Sequence, residues 1–185
     1  MHAKMFNRRA SNPKNKPDQI LTALVLQTGQ NVADIGAGGG YFSLRFAELV
    51  GHEGKVFAVD TNAGFLEFIK DSCRERELHN VETVLVVEDG LTLPETVDLI
   101  FMRNVCHHLP NRLEYFRNLK SFLKPGGRVA IVEYRSAKRL SFRGMLGHYV
   151  PKEAIVEEMS KAGYQLQEDL DFLPEQSFTI FSWHE

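Results

Sequence analysis

Residues 32–47 read VADIGAGGGYFSLRFA, and this stretch decides the fold of the chain. A short apolar run that carries the acid Asp34 leads into a turn with four glycines among the five positions 36–40. Apolar residues at helical spacing follow the turn. An ordinary turn between a strand and a helix needs fewer glycines. The excess predicts that a ligand approaches bare backbone, where the helix also presents unpaired N–H groups.

The length and composition of the chain indicate one soluble, globular unit. Its 185 residues, 43% hydrophobic and 25% charged, are enough for a sizeable core. No apolar run approaches the ~20 residues that span a bilayer, and the N-terminus lacks the apolar segment of a secretory signal. We therefore expect a cytoplasmic monomer or homodimer without a membrane span. Cys73 and Cys106 are too few for a disulfide framework or a metal cluster, so no bound metal is expected.

Basic residues cluster in two segments that contain no acid, 1–16 and 135–152. Each segment has five Lys or Arg, although the whole chain has 24 Asp and Glu against 22 Lys and Arg. Such segments either form a solvated surface or attract an anionic ligand. Two prolines, Pro13 and Pro17, interrupt regular structure in and directly after the first segment, which is predicted to be a flexible arm. Residues 134–150 are predicted to form an irregular loop.

Apolar runs alternate with helical patterns and predict a parallel sheet that is covered on both faces. A helix over 151–162 and two strands over 164–170 and 178–183 follow, and these strands are predicted to form an antiparallel edge. The predicted parallel strands are 31–35, 55–59, 81–87, 97–102 and 128–133, and the predicted helices between them are 41–50, 65–77 and 112–123.

The carboxyl ends of the parallel strands form the ligand-binding edge of such a sheet. Asp60 ends the second strand, 20 residues beyond Gly40, where an acid can accept hydrogen bonds from a ribose diol. A role at the start of the next helix is the alternative. A nicotinamide site would need a glycine where Tyr41 stands. Asp34 would repel a pyrophosphate and stabilise a cation, so a nicotinamide-dependent oxidoreductase is the less favoured interpretation.

Five segments of the chain resemble the successive motifs of class I S-adenosylmethionine-dependent methyltransferases. The similarity is greatest to the ubiquinone and menaquinone biosynthesis type and covers about residues 18–183. It implies a doubly wound, Rossmann-like α/β sandwich of three layers, with a mostly parallel seven-stranded sheet in the order 3-2-1-4-5-7-6 and the last strand antiparallel. The segments are VADIGAGGGYFS, VFAVD at 56–60, VVEDGLTLP at 86–94, VDLIFMRNVCHHL at 97–109 and LKPGGRVAIVEY at 123–134.

The resemblance also assigns parts of S-adenosylmethionine to residues. Asp34 would stabilise the ammonium group, and Asp60 would bind the ribose hydroxyls. Asp89 and the Gly90 backbone would contact the adenine, with Thr61 or Val105 beside the ring. The predicted cofactor-binding residues are Asp34, Gly36, Ala37, Gly38, Gly40, Tyr41, Asp60, Thr61, Asp89, Gly90, Arg103 and Val105.

The region after the fourth strand carries the candidates for catalysis. His107 and His108 can accept a proton from a hydroxyl or an acidic carbon, and a packing or helix-start role is their alternative. Glu133, Tyr134 and His148 are predicted to contact the acceptor. The family's motif for amino groups of nucleic-acid bases is missing here, and no aromatic residues interleave with the basic ones, which disfavours a nucleic-acid acceptor.

Together these features predict one methyltransferase domain over residues 1–185 that methylates a small molecule. The arm 1–16 and the loop 134–150, which contain most of the residues of the two basic segments, would border the acceptor, which suggests that the acceptor is anionic. A non-catalytic subunit that binds S-adenosylmethionine and works with a partner is the main alternative, because the chain is short and has no inserted cap over the acceptor.

Overall fold

The computed structural model describes residues 2–87, 90–135 and 149–183. A seven-stranded sheet in the order β3-β2-β1-β4-β5-β7-β6 lies at its centre. The strands are β1 Val32–Ile35, β2 Val56–Asp60, β3 Val81–Leu85, β4 Val97–Arg103, β5 Leu123–Tyr134, β6 Gln165–Leu170 and β7 Gln176–Ser182.

Helices cover both faces of this sheet, as the alternating pattern predicts. Short 3-10 turns at Pro13–Asn15, Cys106–His108 and Lys120–Phe122 supplement them. The helices of the described residues are α1 His2–Ala10, α2 Pro17–Ala23, α3 Tyr41–Val50, α4 Ala63–Glu75, α5 Arg112–Leu119 and α6 Lys152–Lys161.

Strands β1 to β5 pair in parallel, whereas β7 runs antiparallel to both β5 and β6. The predicted fold class and strand order are therefore confirmed. The central strands are apolar on both sides because each side packs against helices. In β1, Ile35 faces a core that includes Phe116 of α5 and Met159 of α6. Val32, at the start of the same strand, belongs to the opposite core, with Phe46 of α3.

Strand β5 begins earlier than the sequence predicts. Leu123 pairs with Val97, and Arg128 pairs with Leu99, so β5 contains extra residues where β4 has one. The segment KPGG between Leu123 and Arg128 is an irregularity within the strand. The preceding helix ends at Leu119 in a 3-10 turn for the same reason: Leu123 is already in extended conformation.

Residues 2–10 form helix α1, which corrects the expectation of a flexible arm over 1–16. Ala3 and Ala10 are buried, and Asn7 lies on the same face of the helix. This face packs on the glycine turn so closely that a Cβ at Gly39 would lie 2.3 Å from the Ala3 carbonyl oxygen. The Asn7 side chain also accepts a hydrogen bond from the Tyr41 N–H, at 3.1 Å. Small side chains, which give little hydrophobic signal, make this contact possible.

The helices of the described residues lack the length and apolar character needed to cross a lipid bilayer.

Candidate active site

The turn between β1 and α3 needs glycine at two positions for two reasons. Gly36 and Gly40 have φ of +74° and +78°, a conformation that side chains strain. A Cβ at Gly36 would lie 2.3 Å from Val105 Cγ2, and one at Gly40 would lie 2.5 Å from Ile69 Cγ1. The turn therefore fits tightly between the end of β4 and helix α4.

Hydrogen bonds join the same turn to the end of β2. The Ala37 N–H donates to the Val59 carbonyl at 3.0 Å. The Gly38 N–H donates to Asp60 Oδ2 at 2.8 Å, and the Asn62 N–H donates to Asp60 Oδ1 at 2.9 Å. Each carboxylate oxygen has two acceptor positions, so Asp60 keeps the capacity to accept hydrogen bonds from ligand hydroxyls.

Asp34 lies at the end of β1 and is almost fully buried. Ser43, in the first turn of α3, donates its hydroxyl to Asp34 Oδ2 at 2.6 Å. Burial raises the pKa of Asp34 to about 6; the Asp60 carboxylate adds to the rise, whereas the Ser43 hydrogen bond and the Arg103 guanidinium oppose it. A cationic ligand group beside this carboxyl would favour its ionised form.

Arg103 carries a positive charge into the site from the end of β4. Its guanidinium carbon lies 5.5 Å from the centre of the Phe42 ring. Burial lowers the pKa of Arg103, and the nearby Tyr134, Asp34 and Glu133 oppose that shift. The buried Nε has no hydrogen-bond partner among the residues that the structure describes. Arg103 therefore has a donor to offer to an anionic oxygen.

His107 and Glu133 meet where β4 and β5 end. The His107 Nδ1 lies 3.1 Å from Glu133 Oε1, which also accepts the Tyr134 N–H at 3.0 Å. Glu133 is fully buried, so the structure shows it against His107 rather than open to an acceptor. The ring of His108, an exposed residue, lies 4.1 Å from the ring of His107.

Other predicted residues lie around the edge of the site. The Tyr41 hydroxyl accepts a hydrogen bond from Arg45 at 3.1 Å. Thr61 and Gly90 are exposed, and the Gly90 N–H donates to the Val87 carbonyl at 3.0 Å. The predictions for Asp89 and His148 lie outside the described residues.

The two basic segments differ from the expectation where they are described. Arg135 pairs with Asp171 and donates to the Gln176 carbonyl, and Lys152 pairs with Asp169 at 2.6 Å. The charges of these two residues are therefore compensated. Lys138, Arg139 and Arg143 lie outside the described residues.

Sequence reasoning missed two supporting residues. Ser43 holds Asp34, and Asn7 holds the turn from α1. Ser43 could have been found from the sequence, because it places a hydroxyl in the first turn of the helix that follows the strand with the buried Asp34. For Asn7 the sequence offers no comparable signal, because the contact depends on how α1 folds back.

A family model described as a methyltransferase domain matches residues 26–173 of the chain. The chain belongs to this methyltransferase family. The match spans β1 to β6, and α1 precedes it.

Curated relatives of the methyltransferase share its central part. The demethylmenaquinone methyltransferase of Listeria welshimeri is 30% identical over 118 residues, which make up 62% of this chain and 49% of that protein. The ubiquinone/menaquinone biosynthesis C-methyltransferase of Escherichia coli is 31% identical over 111 residues, 59% of this chain and 44% of that protein. The chain thus spans about half the length of the curated relatives it matches.

A solved structure shares the fold of the methyltransferase over nearly its whole length. It is the crystal structure of a SAM-dependent methyltransferase from Aquifex aeolicus, with a TM-score of 0.86 and 23% identity. The similarity covers 97% of this chain and 95% of that chain. The predicted family, fold and cofactor, S-adenosylmethionine, are confirmed, whereas the residues that would hold the cofactor stay predictions.

The described residues of the methyltransferase fit S-adenosylmethionine chemically. Asp34 offers a buried carboxyl to a cationic group, and Asp60 offers acceptor positions to ribose hydroxyls. When bound, the cofactor supplies an activated methyl group, and the protein supplies position and a site shielded from water.

Proposed function

We propose that this methyltransferase transfers the methyl group of S-adenosylmethionine to a small acceptor that presents a negatively charged oxygen. The observation that carries the proposal is a pair of subsites of opposite charge on neighbouring strands. Asp34 and Asp60, at the ends of β1 and β2, suit the cationic groups and the ribose of S-adenosylmethionine. We assign Arg103, which the resemblance gives to the cofactor, to the acceptor instead, since it lies at the end of β4 and its buried Nε has no partner among the described residues.

The names of the curated relatives support a small acceptor with an ionisable oxygen. Those proteins are named for methylation in menaquinone and ubiquinone biosynthesis. A quinone in its reduced form has hydroxyl groups, which become anionic when they lose a proton. Since the chain spans about half of these relatives, the acceptor's chemical class is the proposal rather than its identity.

The proposed domain extends over the whole chain. Helix α1 lies outside the family match but packs on the glycine turn through Ala3 and Asn7. It therefore contributes to the same site rather than to a separate unit.

Calorimetry tests the cofactor subsite. We expect S-adenosylmethionine to bind the purified protein and Asp60→Ala to weaken binding at least ~10-fold, because a carboxylate that accepts hydrogen bonds is lost. Glu157→Gln, a surface carboxylate on α6 paired with Lys161, is the matched control and should bind normally. Binding of NAD without a response to S-adenosylmethionine would overturn the proposal in favour of an oxidoreductase.

Radiolabelled S-adenosylmethionine tests the acceptor subsite. We expect methyl transfer to naphthohydroquinone or salicylate and little transfer to benzylamine, because Arg103 favours an anionic oxygen. Arg103→Gln should raise KM for the hydroxylated probe at least ~10-fold, since a charge-assisted hydrogen bond is lost. Cofactor binding without transfer to any probe would contradict the proposal and favour a non-catalytic subunit.

A further inference from the structure

Glu133 is a buried carboxylate with one unsatisfied oxygen. The residue is 0% exposed, and its Oε2 has no hydrogen-bond partner among the described residues. An acid in such a place costs stability, because burial removes water and only some of its hydrogen bonds are replaced. A hydrophobic residue would stabilise the end of β5 better. The carboxylate therefore needs a reason beyond packing.

The contact with His107 supplies that reason. Glu133 Oε1 lies 3.1 Å from His107 Nδ1, and the His107 side chain is 7% exposed. The same oxygen accepts the Tyr134 N–H, which fixes the carboxylate against the backbone of β5. A carboxylate at Nδ1 favours the tautomer in which Nδ1 carries the proton. In that tautomer Nε2 carries the lone pair and is the basic nitrogen.

We propose that Glu133 is a positioning residue that makes His107 the general base for the acceptor. This inference rests on the proposed function, because the base acts on the acceptor of the methyl transfer. Glu133 holds the imidazole in one tautomer and stabilises the imidazolium that forms, while His107 itself takes the proton.

The acceptor's O–H or acidic C–H gives its proton to His107 Nε2 and keeps the electron pair. That pair forms the new bond to the methyl carbon, and the carbon–sulfur bond of the donor breaks with its electrons going to sulfur. Water later takes the proton from His107.

The step also narrows the acceptor class. A hydroxyl group or a carbon beside a carbonyl needs to lose a proton before it attacks, so a base accelerates its reaction. A neutral amine has a lone pair already and needs no such base. The pair of His107 and Glu133 therefore favours an enol, a phenol or a carbon acid.

Several charged or titratable groups of the described residues lie near the pair. On α5 and α6, Arg112 and Glu158 bind each other through two hydrogen bonds of 2.7 Å. Cys106 precedes His107 on the same turn, and burial keeps the pKa of its thiol well above the ordinary value, so it stays neutral. Arg103 opposes the negative charge of Glu133 from β4.

NMR of the histidine ring nitrogens tests the positioning without any acceptor. The chain has seven histidines, and the signal lost in His107→Asn identifies the one of interest. We expect the wild-type ring to carry its proton at Nδ1 and Glu133→Gln to produce a mixture of tautomers. His79→Asn, an exposed histidine, serves as the control for the assignment. A wild-type ring protonated at Nε2 would overturn the proposal.

The kinetics of methyl transfer to naphthohydroquinone test the base. We expect kcat to fall about 100-fold in His107→Ala, with partial rescue by added imidazole. In Glu133→Gln kcat should fall while KM for naphthohydroquinone stays unchanged, because the imidazole is no longer held in one tautomer. Glu133→Asp keeps the charge and should recover part of kcat.

The outcomes separate this inference from the proposed function. Calorimetry with S-adenosylmethionine on each variant reports folding and cofactor binding together. If His107→Ala binds the cofactor normally and keeps its kcat, the base is wrong and the methyl transfer stands. If wild-type protein binds the cofactor and methylates no probe, the proposed function fails first, and the NMR result still decides the role of Glu133.

Discussion

The two halves of the site are built in different ways. In the cofactor half, the turn after β1 and the end of β2 are joined by backbone hydrogen bonds, and residues close in sequence support one another, as Ser43 supports Asp34. In the acceptor half, the contacts join residues 26 positions apart, such as His107 and Glu133. Short-range contacts therefore support the first half in addition to contacts between elements, whereas the second half depends on a contact between the ends of two strands.

The glycine turn offers the test with the largest expected effect. Gly36→Ala places a Cβ 2.3 Å from Val105 Cγ2 at a φ of +74°. Left-handed strain and overpacking together should lower the free energy of unfolding by about 3–4 kcal/mol, measured by urea denaturation. Gly126→Ala, at a φ of +76° with no atom within 4 Å, is the control. It should cost about 1–2 kcal/mol. Equal losses would mean that close packing does not define the cofactor half.

The pH dependence of the free energy of unfolding tests the cofactor half through Asp34. The pKa of the Asp34 carboxyl is 3.8 in the unfolded chain and about 6 in the folded protein. Between these pH values the folded protein keeps a proton that the unfolded chain has lost. The free energy of unfolding should therefore fall by about 3 kcal/mol as the pH rises from 4 to 6, and stay level above 6. Asp34→Asn should remove this fall. Urea denaturation of both proteins at several pH values measures the difference.

A cationic ligand should restore part of the stability that is lost when the buried Asp34 ionises. S-adenosylmethionine would favour the ionised form of Asp34, so its binding near pH 6 should release a proton. Calorimetry in two buffers of different ionisation enthalpy measures that proton. Binding without proton release would show that the cationic part of the ligand lies away from Asp34.

The contrast between the halves also explains what the sequence could predict. Asp34 and the glycines stand at fixed spacings within one strand–turn–helix unit, and Asp60 ends the strand that follows it, so the sequence pattern locates them. Glu133 comes to His107 through the register of β4 and β5, in which Arg103 pairs with Val132, and the sequence gives no local signal for that register. Burial of Glu133 is equally invisible, because an acid at the end of an apolar run predicts exposure at the edge of the sheet.

Helix α1 shows the same limit at the other end of the chain. Its basic composition predicts a solvated arm, whereas the structure places Ala3 and Asn7 against the turn. Asn7→Ala removes the hydrogen bond to the Tyr41 N–H and should cost about 1 kcal/mol. Hydrogen exchange of α1 amides measures the local opening. Asn12→Ala, which removes a contact only to Lys14, is the control and should leave α1 protected.

The smallest expected effect concerns the basic segment beyond β5. Arg135 donates to the Gln176 carbonyl at 2.8 Å and pairs with Asp171, whose pKa it lowers. Because an exposed ion pair already compensates this charge, Arg135→Gln should change KM for naphthohydroquinone less than about two-fold, while Arg103→Gln raises it. Steady-state kinetics at low and moderate salt measure both variants. A large rise in KM for Arg135→Gln alone would move the anionic subsite from the end of β4 to this segment, and the acceptor half would then depend on surface charge rather than on buried contacts between strands.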